Sequence, residues 1–273
     1  MSQRGSKPIR RSCGGISGCD LPFVEINRHR IEYAEIAARR GGTPTLVLLH
    51  EGLGSVALWR DFPAKLAAAI GCRTVVYSRW GYGRSDRFES PRDPRYMHVE
   101  ALNELPALRT ALTIEDPVLI GHSDGASIAL IHAGSGRWPV RGLVLEAPHV
   151  FVEEASIIGI EEAKYAYEDS DLKRRLAPYH TDVESVFRGW NDIWLSPEFR
   201  SWNIEDCLPG VTCPVLAIQG IDDQYGTVAQ INAVARGVKG PFEKLLLEDC
   251  MHAPHRDQEA DTLAAMVGFI ATL

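Results

Sequence analysis

The stretch Val118-Leu119-Ile120-Gly121-His122-Ser123-Asp124-Gly125 decides the fold. Its three leading apolar residues read as a strand covered on both faces. G-x-S-x-G follows, and residues 126–133 form a run of small and apolar residues that predicts a helix. Strand, tight turn and helix in that order expose a serine hydroxyl at the edge of a parallel sheet. A serine hydroxyl is a weak nucleophile at its own pKa. It must therefore sit on a sharp turn where a base reaches it and nearby amides meet the forming oxyanion. Gly121 and Gly125 remove side chains where strand and helix cross closely, and Ser123 takes the strained position. A chance glycine turn is the bland alternative, against which the flanking strand and helix weigh.

Working outward, similar apolar runs recur at Leu46–Leu49, Thr74–Tyr77 and residues 143–145, 215–218 and 245–247. Helical patterns lie among them: Phe62, Leu66 and Ile70 after Asp61; Val99, Leu102 and Leu105, where Pro106 should kink the helix or begin a new turn; and Leu263, Met266, Val267 and Ile270 after an Asp257 cap. Strand alternating with helix predicts an α/β fold, a parallel sheet with helices on both faces. Residues 23–37 alternate apolar and polar on either side of positions 27–29, which predicts an antiparallel hairpin at the start. Residues 1–20, rich in Ser, Gly, Arg and Lys, read as a flexible leader. The core is expected over 21–150 and 208–273. Residues 151–207 break the alternation and carry aromatics among charges at helical spacing, so they are expected to form a helical cap inserted over the carboxyl edge of the sheet.

Nine histidines compete to serve Ser123 as base. His252, in D-C-M-H-A-P-H, follows the last strand signal and should project from the same sheet edge as Ser123. His255 lies nearer the start of the final helix and reads as a surface or cap-adjacent residue. His122 should point to the opposite side of the turn, and His29, His98, His132 and His180 fall on expected hairpin or helical surfaces. A carboxylate must hold the imidazole tautomer and balance its charge. Asp223, in Q-G-I-D-D after the strand at 215–218, is the choice, with Asp222 the alternative and Glu146 a fallback. The oxyanion would meet the backbone N–H groups of Gly52, in L-H-E-G-L-G-S, and of Asp124.

Composition bounds the rest. The chain has 273 residues, 45% apolar, and a formal net charge of −7 with no long basic stripe, so nucleic acid and anionic membrane are not expected partners. No apolar run approaches the roughly 20 residues that cross a bilayer, which with the absence of a secretion-type apolar core predicts a cytoplasmic protein. Cys13, Cys19, Cys72, Cys207, Cys213 and Cys250 have no C-x-x-C spacing. Neither a metal site nor a disulfide framework is expected.

The nucleophile turn G-H-S-D-G, the segment H-E-G-L-G-S, the stretch R-W-G-Y-G-R-S-D from Arg79 to Asp86, the loop G-I-D-D and the late His252 together resemble the α/β-hydrolase superfamily. The resemblance covers about residue 23 to the C-terminus. It implies an eight-stranded, mostly parallel sheet with a helical cap, and a two-step acyl-serine mechanism without cofactor; the order Ser123, Asp223, His252 is that of this superfamily. Two positions depart from its pattern. Glu51 stands where glycine is usual, and an unpaired carboxylate there would oppose an oxyanion; it is expected to turn away or pair with an arginine such as Arg79 or Arg84. Met251 also replaces a common glycine. The expected activity is cleavage of a small carboxylic ester or lactone bearing an apolar or aromatic acyl group, with Leu53, His149, Trp190 and Trp194 as candidate substrate contacts; the two tryptophans could equally pack the cap onto the core. Hydrolysis of a carbon–carbon bond in ring-opened aromatic compounds, and a small-molecule receptor retaining the triad, are the alternatives.

Overall fold

The computed structural model describes residues 21–88 and 92–273; the expected leader, with Cys13 and Cys19, lies outside the described residues. Eight strands form one sheet: β1 (Phe23–Ile26), β2 (His29–Ile36), β3 (Leu46–Leu49), β4 (Thr74–Tyr77), β5 (Val118–His122), β6 (Gly142–Glu146), β7 (Val215–Gly220) and β8 (Phe242–Leu247). Their order across the sheet is β1-β2-β4-β3-β5-β6-β7-β8. β1 pairs antiparallel with β2, and β2 with β4; every later pairing is parallel.

The helices explain why β3 is apolar at every position. On β3, Val47 and Leu49 face a core shared with Leu105, Leu108 and Ile128, whereas Leu46 and Leu48 face the other side with Phe62, Leu66, Met266 and Phe269. Side chains alternate between two buried faces, so both faces of β3 favour apolar residues. Each such side chain contributes roughly 1.5–3 kcal/mol on leaving water. The packing helices are α1 (Phe62–Ile70), α2 (Tyr96–Val99), α3 (Leu105–Ala111) and α4 (Asp124–Gly134). Between β6 and β7 run α5 (Glu154–Asp169), α6 (Leu172–Leu176) and α7 (Val183–Trp194). After β7 come α8 (Val228–Gly237), α9 (Pro254–Asp257) and α10 (Glu259–Ile270).

Local expectations are met at Pro106 and need correction elsewhere. A π-helical turn, Glu100–Glu104, joins α2 to α3, and Pro106 lies in the first turn of α3, where a missing N–H breaks no helical bond. Pro106 thus begins a helix. Asp257 ends α9 and its carboxylate accepts from the Met251 N–H at 3.1 Å, so it does not cap the final helix. Helix α8, capped by the Thr227 hydroxyl on the Ala229 N–H at 3.1 Å, has no counterpart in the sequence reading. β8 is an edge strand, and among its residues only Leu247 is buried, since one face and one edge lack cover.

Register gathers the site. Leu49 of β3 pairs beside Gly121, His122 of β5 beside Glu146, Glu146 of β6 beside Ile218, and Gly220 of β7 beside Leu247. Residues that follow these positions in the chain therefore emerge at one edge of the sheet, where parallel α/β sheets bind ligands. No helix among the described residues is long and apolar enough to cross a membrane. Cys72, Cys207, Cys213 and Cys250 are free, and burial pushes the Cys207 thiol up to about 12.

Candidate active site

Ser123 occupies the turn between β5 and α4 with φ 54° and ψ −116°, a left-handed conformation that a residue with a Cβ adopts only when its surroundings enforce it. The enforcement is visible. A Cβ on Gly121 would collide with the backbone of Gly125, and one on Gly125 with the carbonyl of Leu49. The Ser123 N–H donates to the Glu146 carbonyl at 2.9 Å, while the Ser123 carbonyl accepts from Ala126 N–H at 2.9 Å. Since the obstacles are main chain and cannot rotate away, Gly125→Ala is expected to cost about 3 kcal/mol or more in unfolding free energy, read from the urea midpoint. A midpoint equal to wild type would show that the turn does not depend on that close approach.

His252 and Asp223 meet at the same edge. His252 Nδ1 lies 2.9 Å from both carboxylate oxygens of Asp223. Asp223 is oriented independently: its Oδ1 accepts from the Tyr225 N–H at 2.8 Å and its Oδ2 from the Gln219 amide at 2.7 Å. Burial opposes ionisation of Asp223, yet the charge and hydrogen bond of His252 and the Tyr225 N–H outweigh it and hold the carboxyl at about 2. Because Nδ1 faces the carboxylate, Nε2 is left as the basic nitrogen. Asp222 is exposed and its N–H is spent on the Cys250 carbonyl at 3.0 Å.

Four histidines differ from expectation. His255 is buried, and its ring Nδ1 lies 2.8 Å from Glu146, whose carboxylate also accepts the His255 N–H at 3.0 Å. The fallback acid therefore serves a second, structural pair. His132 and His180 are buried as well, their rings donating to the carbonyls of Ala101 at 2.8 Å and Leu53 at 2.9 Å. His122 does not point away: its ring lies 5.1 Å from that of His252, and its Nε2 donates to the His252 carbonyl at 2.7 Å. Among the described residues no arginine pairs with the Glu51 carboxylate. Its Oε2 is 3.7 Å from His122 Nδ1, while Arg79 donates to the Glu51 backbone carbonyl at 2.8 Å.

That arginine is the residue whose role was least legible. Arg79 Nη2 is also 3.5 Å from Asp124 Oδ2, both side chains being fully buried, and Asp124 Oδ2 accepts the Tyr96 hydroxyl at 2.7 Å. His50 donates through Nδ1 to the Glu51 carbonyl at 2.7 Å and accepts the Arg79 N–H at Nε2, at 3.0 Å. Burial and the Arg79 charge keep His50 neutral, as this tautomer requires. Arg79 thus joins the loop bearing Gly52 to the start of α4 bearing Asp124. Arg79→Ala leaves a buried carboxylate unpaired, so a loss of roughly 3–5 kcal/mol of stability is expected in urea unfolding; a loss below about 1 kcal/mol would show the pair to be dispensable.

A cavity of about 490 Å³ opens over these groups, lined by Ser123, His252, Gly52, Leu53, His149, Trp190 and Trp194 among others. That volume lies within the range of small-molecule sites, roughly 300–1,000 Å³. Trp190 and Trp194 come from α7, whose buried face also includes Val186 and Phe187. The two tryptophans line the cavity and also pack: Trp194 donates its indole N–H to the Tyr96 hydroxyl at 3.1 Å, and a Cβ on Gly52 would collide with the Trp190 ring. His149 packs edge-on against Trp194 at 5.2 Å; burial first, then the nearby His252, pushes its ring down to about 3, so it is neutral. Asp223 stands behind His252 and Asp124 below the turn, outside the cavity wall. No cluster of metal-ligating side chains occurs among the described residues.

Residues 46–266 match the model of the alpha/beta hydrolase family. The chain is 25% identical over 281 aligned positions to a proline iminopeptidase of Saccharolobus solfataricus, covering 87% of this chain and 88% of that one. It is 27% identical over 135 residues to a proline iminopeptidase of Heyndrickxia coagulans, but there the match covers 46% of this chain and only 42% of the relative's length. In structure it resembles an enol-lactonase from Burkholderia xenovorans LB400, with TM-score 0.71 and 18% identity over 92% of this chain and 100% of that one. An esterase from Exiguobacterium antarcticum gives TM-score 0.70 and 17% identity over 92% and 100%. At such identities these two structures speak for the fold alone.

Proposed function

The chain belongs to the alpha/beta hydrolase family, and from that premise we propose that it is a serine hydrolase of small carboxylic esters or lactones. The observation that carries this reading is the Asp223 carboxylate fixed 2.9 Å from His252 Nδ1, at a cavity lined by His252 and by Ser123 on its strained turn. His252 Nε2 takes the proton of Ser123 Oγ as that oxygen attacks the acyl carbon. The oxyanion forms against the N–H groups of Gly52 and Asp124, where preorganised donors act on developing charge. His252 then protonates the leaving alcohol, and water, activated in the same way, releases the acid and restores Ser123. No cofactor takes part.

Helices α5 to α7 act as the cap, with Leu53, His149, Trp190 and Trp194 forming the acyl pocket. The walls favour an apolar or aromatic acyl group, and the cavity volume favours a small one. Free thiols at Cys72, Cys207, Cys213 and Cys250 suit a reducing cytoplasm. A second reading, removal of an N-terminal proline from a peptide, is favoured by the similarity that spans most of the S. solfataricus protein.

The test is a panel of p-nitrophenyl esters, small lactones, proline p-nitroanilide and vinylogous diketo acids at equal concentration. The highest kcat/KM is expected on a short or aromatic ester or a lactone. Preference for the anilide would install the peptidase reading, preference for the diketo acid the carbon–carbon hydrolase, and tight binding without turnover the receptor.

A further inference from the structure

His122 Nε2 lies 2.7 Å from the backbone carbonyl of His252. A carbonyl only accepts, so Nε2 carries a proton. Nδ1 then faces Glu51 Oε2 at 3.7 Å and has no other partner among the described residues. In a neutral ring Nδ1 would turn a lone pair toward the lone pairs of a carboxylate, two acceptors face to face. A second proton on Nδ1 removes that conflict. Glu51 is placed for this by its own loop: its carboxylate folds back onto Gly54, where a Cβ would collide with Oε2, and the Gly54 N–H donates to the Glu51 carbonyl at 3.1 Å.

We propose that His122 is a positioning residue, an imidazolium paired with Glu51 that ties the loop bearing His252 to the nucleophile strand and the oxyanion loop; this rests on the serine-hydrolase reading above. Glu51 belongs to the segment after β3, His122 to the end of β5 and His252 to the loop after β8, so the two contacts join the three segments that must stay in register. They also answer the difficulty of a carboxylate beside a forming oxyanion, because the pair is neutral as a unit.

Other charged and titratable groups surround the ring. The His252 and His255 rings each lie 5.1 Å away, Glu146 is held by His255 on the far side, and Trp59 closes the remaining face at 6.3 Å. His149, beyond His252, is neutral. Burial presses the His122 cation down, but the negative charge of Glu51 at 3.7 Å, with that of Glu146, raises it above the ordinary imidazole value. Burial likewise opposes ionisation of Glu51, and His122 overcomes it, holding that carboxyl far below the usual range. The sign follows. The pair is intact below the raised value of His122; as pH rises through it, Nδ1 loses its proton and Glu51 is left as a bare anion beside Gly52.

The experiment combines a double-mutant cycle with a pH profile on an activated ester, thermal unfolding being followed for each variant. His122→Gln keeps an N–H for the His252 carbonyl but strips Glu51 of its counter-charge, and a fall of about 100-fold in kcat/KM is expected. Glu51→Gln leaves a neutral pair and a loss of about tenfold or less. The double variant should recover to within about tenfold of Glu51→Gln, since no bare charge remains. The descending alkaline limb of the wild-type kcat/KM profile should vanish in Glu51→Gln. Isotope-edited NMR should find both His122 ring nitrogens protonated at neutral pH. Losses that multiply, an unchanged alkaline limb, or a singly protonated ring would overturn the proposal. A wild-type protein inert toward esters and toward a fluorophosphonate would instead fail the hydrolase reading and take the positioning role with it, while the NMR result would still report the proton.

Discussion

Ser123→Ala is expected to lower kcat on p-nitrophenyl acetate by a factor on the order of 10⁶ while leaving the fold intact. The size follows from the division of labour proposed here. Without Oγ there is no acyl intermediate, and His252 has only water to deprotonate, a weaker route than attack by a hydroxyl fixed on the turn. The members of such a unit are not additive, so loss of the nucleophile alone costs nearly what loss of the whole unit costs. The fold should survive because the bonds that fix Ser123 run through its backbone, to Glu146 and to Ala126, and because alanine meets the same conformational strain at φ 54°. The measurement is steady-state turnover together with covalent labelling by a fluorophosphonate, read as a mass shift of the intact chain. Wild type should gain one adduct and the variant none, at equal melting temperature. Turnover retained within tenfold, or an adduct still formed, would move the nucleophile elsewhere.

The sheet is legible because burial on two faces leaves an apolar run along a strand, as in β3, in residues 75–77 of β4 and in residues 118–120 of β5. Ser123, Asp223 and His252 were placed by the same means: each follows a strand signal, and parallel register brings those ends together. The misread histidines fail for one physical reason. His132, His180 and His255 are buried because a partner distant in sequence satisfies the ring, Glu146 lying 109 positions from His255. Composition of the local stretch carries no trace of such a partner. His122 is expected on the opposite side of the turn because it precedes the nucleophile, but at the carboxyl end of β5 its ring reaches the His252 carbonyl. Of the two expectations for Glu51, turning away or pairing with an arginine, the second fails for Arg79, which is committed to the Glu51 carbonyl and to Asp124. Helix α8 escaped because its buried apolar side chains are few, chiefly Ile231, Ala233 and Val234.

Asp223→Asn is expected to reduce kcat by about 10⁴-fold with little change in KM, through the tautomer of His252 and not through its position. The carboxylate accepts from His252 Nδ1 with both oxygens at 2.9 Å, and so keeps the proton on that nitrogen and the lone pair on Nε2. An asparagine cannot do this in the same socket. Its carbonyl oxygen is claimed by the Tyr225 and Gly226 N–H groups, which donate to Oδ1 at 2.8 and 3.3 Å. Its amide nitrogen then replaces Oδ2, opposite the Gln219 amide that now donates there at 2.7 Å. That NH₂ also donates toward Nδ1, which must become the acceptor, so the proton moves to Nε2 and the base is blocked. The native carboxyl, held at about 2, stays ionised throughout the working range. Its contribution to stability is therefore present above the ordinary carboxylate value and lost only as pH falls through about 2, so Asp223 does not set the acid limb of the wild-type profile. In the variant, turnover should rise at alkaline pH, where hydroxide replaces the base for deprotonating Ser123, and labelling of Ser123 by the fluorophosphonate should slow in proportion to kcat. An Asp223→Asn protein within tenfold of wild type at neutral pH would show that His252 takes its orientation from another group. Asp222→Asn, at an exposed neighbour with no contact to the ring, supplies the comparison and should retain activity within about twofold.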